Sequence, residues 1–265
     1  MSILSNRIYY IDSEERISGT SSNFSFHLDI PDSAKFDSAC VLSMTIPRSY
    51  YLVREGQNKF IFNLNSVDYP LTVPKGNYNV QNFRTMFIDL IKTATGANLT
   101  MAFDQITGKY EYHITPAAKT QGDFAMASIR LESPSRLGHQ LGFDEVSINT
   151  FVSGLLTSKN VVNFVSTSTL FLHSDMVDDQ TSILQEVYSD NSVPFSNLVY
   201  QCKFPTMYTK TLRTASSSTF NFSLQDEHGL EVDLNGHQML FTLLLYRKEN
   251  LGELIKKVAA IFVPE

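Results

Sequence analysis

The sequence predicts a mainly β protein, a sandwich or jelly roll carrying a small α+β insertion. Short apolar runs, several with a two-residue period, recur along the 265 residues and are separated by Pro, Gly, Asn and Asp. Only one stretch, from about Val80 to Ala94, has a convincing helical period, and it lies inside a segment of different character from what surrounds it. Many short strands divided by turns are the pattern of a two-layer β architecture.

In chain order, Phe24 to Ile30 alternates strictly between apolar and polar residues before Pro31-Asp32-Ser33 breaks it. Cys40 to Ile46 alternates less cleanly and ends at Pro47. Phe60 to Leu64 is a third strand, and Val67 to Val73 is a fourth, weakened by Pro70. After Pro74-Lys75-Gly76-Asn77-Tyr78 comes Asn79, a good helix N-cap, then Val80, Phe83, Met86, Phe87, Leu90 and Ile91 at helical spacing, with Gly96 as the stop. Leu99 to Phe103 and Lys109 to Ile114 flank Asp104-Gln105-Ile106-Thr107-Gly108, a hairpin loop with Gly where a positive φ is needed. Phe124 to Leu131 is the next strand. A short helical piece is expected around Ser133 to Gly138, with Pro134 in its first turn, and Leu141-Gly142-Phe143 closes the unit.

From Val146 onward the pattern is β again. Strands are expected at Val161–Val165, Thr169–Leu172, Ile183–Val187, Val199–Phe204, Phe220–Leu224 and Glu231–Leu234, with Asp226-Glu227-His228-Gly229 as a turn. Met239 to Tyr246 is a long apolar run and reads as a strand buried on both faces. Ser216-Ser217-Ser218 reads as a loop, and Leu251 to Ala260 as a short helix or docking arm. There is no internal repeat. The organisation is therefore residues 1–74 as the first part of the β domain, 75–146 as the insertion, and 147–265 as the second part with a C-terminal arm.

Composition bounds the function. Hydrophobic residues make up 43% and charged ones 18%, below the usual quarter. Ser, Thr, Asn and Gln take the place of the missing charge. Large neutral surfaces of this kind suit packing against other subunits, although secreted β proteins share them. The net charge of −6 gives no general attraction to phosphate, and Arg247-Lys248 and Lys256-Lys257 are too short for a nucleic-acid patch. Direct nucleic-acid binding is not expected. Met1 to Arg7 has no continuous apolar stretch and is not read as a signal peptide, and no run is long enough for a membrane span. Cys40 and Cys202 each sit in an apolar strand-like run; they are read as two buried free thiols, with a single disulfide as the alternative.

Signatures of catalysis are missing: there is no Gly-x-Ser-x-Gly, no phosphate-cradling Gly-x-x-x-x-Gly-Lys and no His-Glu-x-x-His. The six histidines are His27, His113, His139, His173, His228 and His237. His173-Ser174-Asp175 holds the residue types of a triad, but neighbours on a strand point to opposite faces, so the reading is a strand running into a turn. His27 falls on the polar face of its strand. Asp175, Asp178 and Asp179, the Asp226 loop and the Asp104 loop could offer oxygens to a hard cation but lack the ligand spacing of a calcium loop, and all three read as turns. The 19 Phe and 12 Tyr alternate along strands without interleaved Lys or Arg, which favours core packing over base stacking. Tyr9-Tyr10 and Tyr50-Tyr51 lie outside the clean strands and are candidate interface aromatics, with a local core as the alternative. No catalytic, cofactor-binding or metal-ligating residue is assigned.

Four segments carry a resemblance to a known family. They are Asn23-Phe24-Ser25-Phe26-His27-Leu28 with Met44-Thr45-Ile46-Pro47 and Phe60-Ile61-Phe62; Pro74-Lys75-Gly76-Asn77-Tyr78 through the helix to Asp104, Thr107-Gly108-Lys109 and Leu141-Gly142-Phe143; Leu170-Phe171-Leu172-His173-Ser174-Asp175 with Ile183-Leu184; and Phe220-Asn221-Phe222-Ser223-Leu224 through Asp233-Leu234-Asn235-Gly236 to Phe241-Thr242-Leu243. Together and in this order, the chain resembles the penton (minor capsid) proteins of virophages and Polinton-like elements. The resemblance implies a single jelly-roll β-sandwich and five copies at each vertex of an icosahedral capsid. It also implies contacts with trimers of a major capsid protein, an outward-projecting insertion, and assembly inside a host cell into a virion. It offers no catalytic residues and no cofactor. A virion attachment or tail-associated binding module is the second reading, with the α+β unit as the gripping part.

Overall fold

The computed structural model describes residues 6–31, 36–115, 126–165, 169–188, 196–205, 207–213 and 218–248. The chain divides into two compact units, residues 1–50 with 167–265, and residues 51–166. The first unit opens with β1 (Asn6–Asp12), β2 (Ser18–Gly19), β3 (Asn23–His27) and β4 (Ser38–Pro47). The second holds β5 (Lys59–Leu64), β6 (Val67–Thr72), α1 (Val80–Thr95), β7 (Asn98–Asp104), β8 (Lys109–Thr115), β9 (Ala127–Leu131), α2 (Gly138–Leu141), β10 (Ser147–Thr150) and β11 (Leu155–Thr157). The first unit is completed by β12 (Thr169–Ser174), β13 (Ile183–Tyr188), β14 (Asn197–Gln201), β15 (Lys210–Thr211), β16 (Thr219–Asp226) and β17 (Leu240–Tyr246).

In the first unit two antiparallel sheets run in the orders β1-β17-β4-β14 and β13-β12-β16-β3-β2. Leaving aside the two-residue strands β2 and β15, the pairing is nested. The first strand pairs with the last (β1 with β17), the second with the seventh (β3 with β16), the third with the sixth (β4 with β14), and the fourth with the fifth (β12 with β13). A long hairpin rolled up on itself gives this connectivity, which is that of a jelly roll. The second unit sits in the connection between the third and fourth of these strands.

Alternation decides which side chains the roll buries. On β16, Phe220, Phe222 and Leu224 face inward; on β17, Phe241, Leu243 and Leu245 do so. Phe222 meets Phe241 of the other sheet edge to face at 5.1 Å between centroids, and Phe24 of β3 at 5.7 Å, so aromatic rings join the two layers. Sealing each of these side chains from water stabilises by about 1.5–3 kcal/mol.

The second unit has its own core. Helix α1 begins at Asn79, whose side chain accepts from the N–H groups of Gln81 and Asn82 while the Asn82 side chain accepts from the Asn79 N–H. Its buried face, Phe83, Phe87 and Ile91, shares one apolar cluster with residues of the sheets β10-β9-β5-β6 and β11-β8-β7. Phe87 stacks on Phe60 at 5.0 Å, and Tyr112 on Phe143 at 5.6 Å. The hydroxyls of Tyr110 and Tyr112 donate to the carbonyls of Val80 and Leu141, each at 2.7 Å. Burial pushes the Tyr112 phenol well above its ordinary range, so it stays a neutral donor. The aromatics of this unit are core side chains.

Several expectations change. The second unit spans 51–166 rather than 75–146, because β5 pairs with β9 on one side and β6 on the other, which takes both strands out of the roll. Tyr9 and Tyr10 lie on a strand, β1. Ser133–Pro134 is a cis peptide followed by turns, and the helix starts only at Gly138. Val161–Val165 forms no strand; Val162 and Phe164 pack on the core as side chains without a ladder. Glu231–Leu234 makes a lone bridge, Gln225 to Glu231. β17 is buried on one face only, with Leu240 exposed. The C-terminal arm, Ser216-Ser217 and Phe124 lie outside the described residues.

Candidate assembly surface

The residues singled out for chemistry do not converge. His173 Nδ1 sits 3.0 Å from the Thr181 carbonyl oxygen and 3.3 Å from Ser182 Oγ. Ser174 is buried and its Oγ accepts from the Met176 N–H, while Asp175 accepts from the backbone and side-chain nitrogens of Asn221 at 2.9 and 2.7 Å. Each of the three therefore closes a different local structure. The acidic groups also fold their own turns. Asp179 accepts from the N–H and hydroxyl of Thr181, Asp226 from the N–H groups of His228 and Leu230, and Asp104 from the Ile106 N–H and the Thr107 hydroxyl. The Thr107 hydroxyl and then the Ile106 N–H hold the Asp104 carboxyl below its usual range. Among the described residues, no three His, Cys, Asp or Glu side chains group as they would around a metal ion. His27 is exposed on β3.

The outer face of the sheet β1-β17-β4-β14 is unusual instead. Cross-strand register places Ile8, Tyr10 and Asp12 of β1, Leu240 of β17, Thr45 of β4 and Val199 of β14 on this one face. An antiparallel sheet with one face on the core ordinarily turns polar side chains outward. Here Tyr10 is 79% exposed and Val199 73% exposed, with Ile8 and Leu240 each about half exposed. The rest of β1 is held firmly. Tyr9 donates to the Asp29 carbonyl at 3.0 Å, its ring lies 5.1 Å from the Arg7 guanidinium carbon, and Arg7 reaches the Asp29 carboxylate at 3.4 Å. Tyr10 is thus presented from a fixed strand. Tyr50 is not part of the surface; it is buried in the core of the first unit.

A second apolar feature is a groove of about 660 Å³ along the edge strands β13 and β14. Its walls include Phe171, Ile183, Tyr188, Tyr200, Phe204 and Tyr208, with Lys203, Glu186 and Lys210 at hand for polar contacts. Tyr188 is 71% exposed. Among the described residues, β1 and β14 are the two edges of one sheet and β13 is an edge of the other, and an edge strand is a place where a further strand can pair.

Solved structures bear a likeness to this chain. Over 91% of this chain and 99% of the other, it is similar to the crystal structure of the mavirus penton protein, at 10% identity and a TM-score of 0.44. Over 94% of this chain and 99% of the other, it is similar to a chain in the cryo-electron microscopy structure of the Sputnik virophage, at 13% identity and a TM-score of 0.39. No protein-family model matches the sequence, and no curated protein matches it.

Of the surface residues, sequence reasoning reached Tyr9-Tyr10 but not Ile8, Tyr188, Val199 or Leu240. The available signal was negative. Ile8-Tyr9-Tyr10-Ile11 is apolar on both faces of a strand, which erases the alternation that would otherwise mark it. Among the described residues, no helix is long and apolar enough to cross a membrane.

Proposed function

We propose that this chain is a virion structural protein, the pentameric vertex subunit of an icosahedral capsid, that packs against itself and against major capsid protein trimers. The outer face of the sheet β1-β17-β4-β14 carries the reading. Each large apolar side chain left in water there forgoes roughly 1.5–3 kcal/mol of transfer free energy. A neighbouring subunit recovers it. The edges of the roll differ from one another, β1 with Ile8 and Tyr10 on one side and the β13–β14 groove on the other, so a contact between them is heterologous. Heterologous contacts that close by rotation make rings. The resemblance of the four sequence segments to penton proteins supports five as the number and the vertex as the place.

The test is the native mass of the purified chain by light scattering, alone and mixed with the major capsid protein of the same particle. A pentamer, or a monomer that becomes one on mixing, is expected. Tyr10→Ser is expected to lower the pentamer fraction at a fixed concentration while the far-ultraviolet circular dichroism stays unchanged. Stable trimers would overturn the reading and favour an attachment module, and a monomer indifferent to the capsid partner would overturn it as well.

A further inference from the structure

Cys40 lies on β4 between Ala39 and Val41, which both enter the core of the roll. Alternation turns Cys40 to the opposite face, where it is nonetheless 0% exposed. The reason lies in the edge of the sheet. β14 runs along β4 as far as Cys202, whose N–H donates to the Leu42 carbonyl at 2.8 Å. The chain then leaves β4 and rejoins it at β15, where Lys210 pairs with Ala39. Between these two rungs it forms an arch, closed by the Met207 N–H on the Phe204 carbonyl and by the Thr209 hydroxyl on the Pro205 carbonyl. Cys40 sits in the gap that the arch spans, and its Sγ is 3.8 Å from Sγ of Cys202 at the arch's first residue. Both thiols are free.

We propose that Cys40 and Cys202 are a redox pair that closes to an intrachain disulfide in an oxidising environment and thereby pins the arch to β4. A disulfide holds its sulfurs about 2.0 Å apart, so the two must approach by a little under 2 Å. The oxidant is a low-mass disulfide such as oxidised glutathione. Cys202 is only half buried and is the sulfur that such a molecule reaches. Its thiol attacks one sulfur of the disulfide, forming a mixed disulfide and releasing one thiol that takes the proton. The Cys40 thiol then attacks Sγ of Cys202 and expels the second thiol, which takes the Cys40 proton. Two thiols of the protein are oxidised and one small disulfide is reduced to two thiols. Burial first, and the neighbouring Cys202 sulfur next, push the Cys40 thiol up to about 12, so it is protonated at neutral pH and the first attack on the oxidant falls to Cys202.

The arch gives the link a consequence. It carries Phe204, Met207 and Tyr208, all exposed, and Phe204 and Tyr208 line the β13–β14 groove. Fixing its first residue orders part of that groove. This inference rests on the thiol geometry and stands whether or not the chain forms capsid vertices.

The experiment is titration of the purified full-length protein with reduced and oxidised glutathione, followed by intact and peptide mass spectrometry. A loss of two free thiols per chain is expected, with a mass lower by two hydrogens and the peptides of Cys40 and Cys202 joined. Cys40→Ala is expected to stop at a glutathione adduct on Cys202, and Cys202→Ala to leave Cys40 unmodified in the native protein. Hydrogen exchange through residues 203–211 is expected to slow at least several-fold on oxidation and to recover on reduction. Two free thiols persisting in native protein under oxidised glutathione, links between chains, or an arch whose exchange does not change would each overturn the proposal.

Discussion

Gly142 ends the α2 turn at a φ of 75°, in the left-handed region that side chains avoid. A Cβ there would stand 2.6 Å from the Asn160 carbonyl oxygen and 2.6 Å from Cβ of Ser158. The neighbour cannot simply retreat, because the Asn160 N–H donates to the Gly142 carbonyl at 2.8 Å. Gly142→Ala is therefore expected to cost about 2–5 kcal/mol, of which about 1–2 comes from the backbone conformation and about 1–3 from overpacking. Gly96 is the internal control: its φ is 72°, but open space surrounds it, so Gly96→Ala should cost only the first part, about 1–2 kcal/mol. Chemical denaturation midpoints of the two variants measure the difference, and equal losses would show that the 158–160 segment yields. Sequence alone marks Leu141-Gly142-Phe143 as a closing point. It does not show that Ser158 and Asn160 lie against it, since that stretch has no period from which a position could be read. The same holds for the two cysteines, whose apolar surroundings are legible while their 3.8 Å approach depends on where the chain departs from β4.

Helix α1 is the element most completely written in its own residues. Asn79, the apolar spacing from Val80 to Ile91 and the stop at Gly96 are all local, and the helix runs from Val80 to Thr95 between those caps. Because the Asn79 side chain satisfies two N–H groups that no other part of the helix can reach, Asn79→Ala is expected to destabilise by about 1 kcal/mol, while Asn79→Asp keeps both acceptors and should be close to neutral. The unfolding midpoint of each variant in urea measures this; an alanine variant as stable as the parent would mean that packing of Phe83, Phe87 and Ile91 fixes the helix start unaided. The strands are legible to a different degree. β3 and β16 alternate because one face meets the core and the other meets water, and both are visible as alternation. β1, β10 and β11 are not. β1 is apolar on both faces, and β10 and β11 are short edge strands set by partners far along the chain. Conversely, Val161–Val165 has the composition of a strand but joins no ladder, and Val162 and Phe164 reach the core from an irregular segment. Pairing partners, unlike face preferences, are not encoded locally.

On the scale of the whole chain, the two units have separate apolar clusters. One runs through the roll from Ile11 to Leu245 within residues 1–50 and 167–265, and the other from Val53 to Phe164 within 51–166. The insertion was expected to be smaller, starting at Lys75 rather than near Tyr51, because β5 and β6 have the same alternation as the strands of the roll and nothing in a strand's own residues names the sheet it will join. The pairing of β5 with β9, and of β6 with β5, gives the second unit its own set of elements, with α1 and both of its sheets around one core. A segment with its own core and both ends in one connection has what independent folding requires. Residues 51–166 expressed alone are therefore expected to fold, with a cooperative thermal transition and dispersed amide resonances, and the intact chain is expected to unfold in more than one calorimetric step because a single two-state transition presumes a shared core. Phe87→Ala should lower the step that belongs to the isolated segment by about 3–5 kcal/mol, and leave the other in place, since its ring packs on Phe60, Phe83 and Tyr112 of the second core. An isolated segment that stays unfolded, or a Phe87→Ala chain in which both steps fall together, would mean that the two cores are stabilised as one.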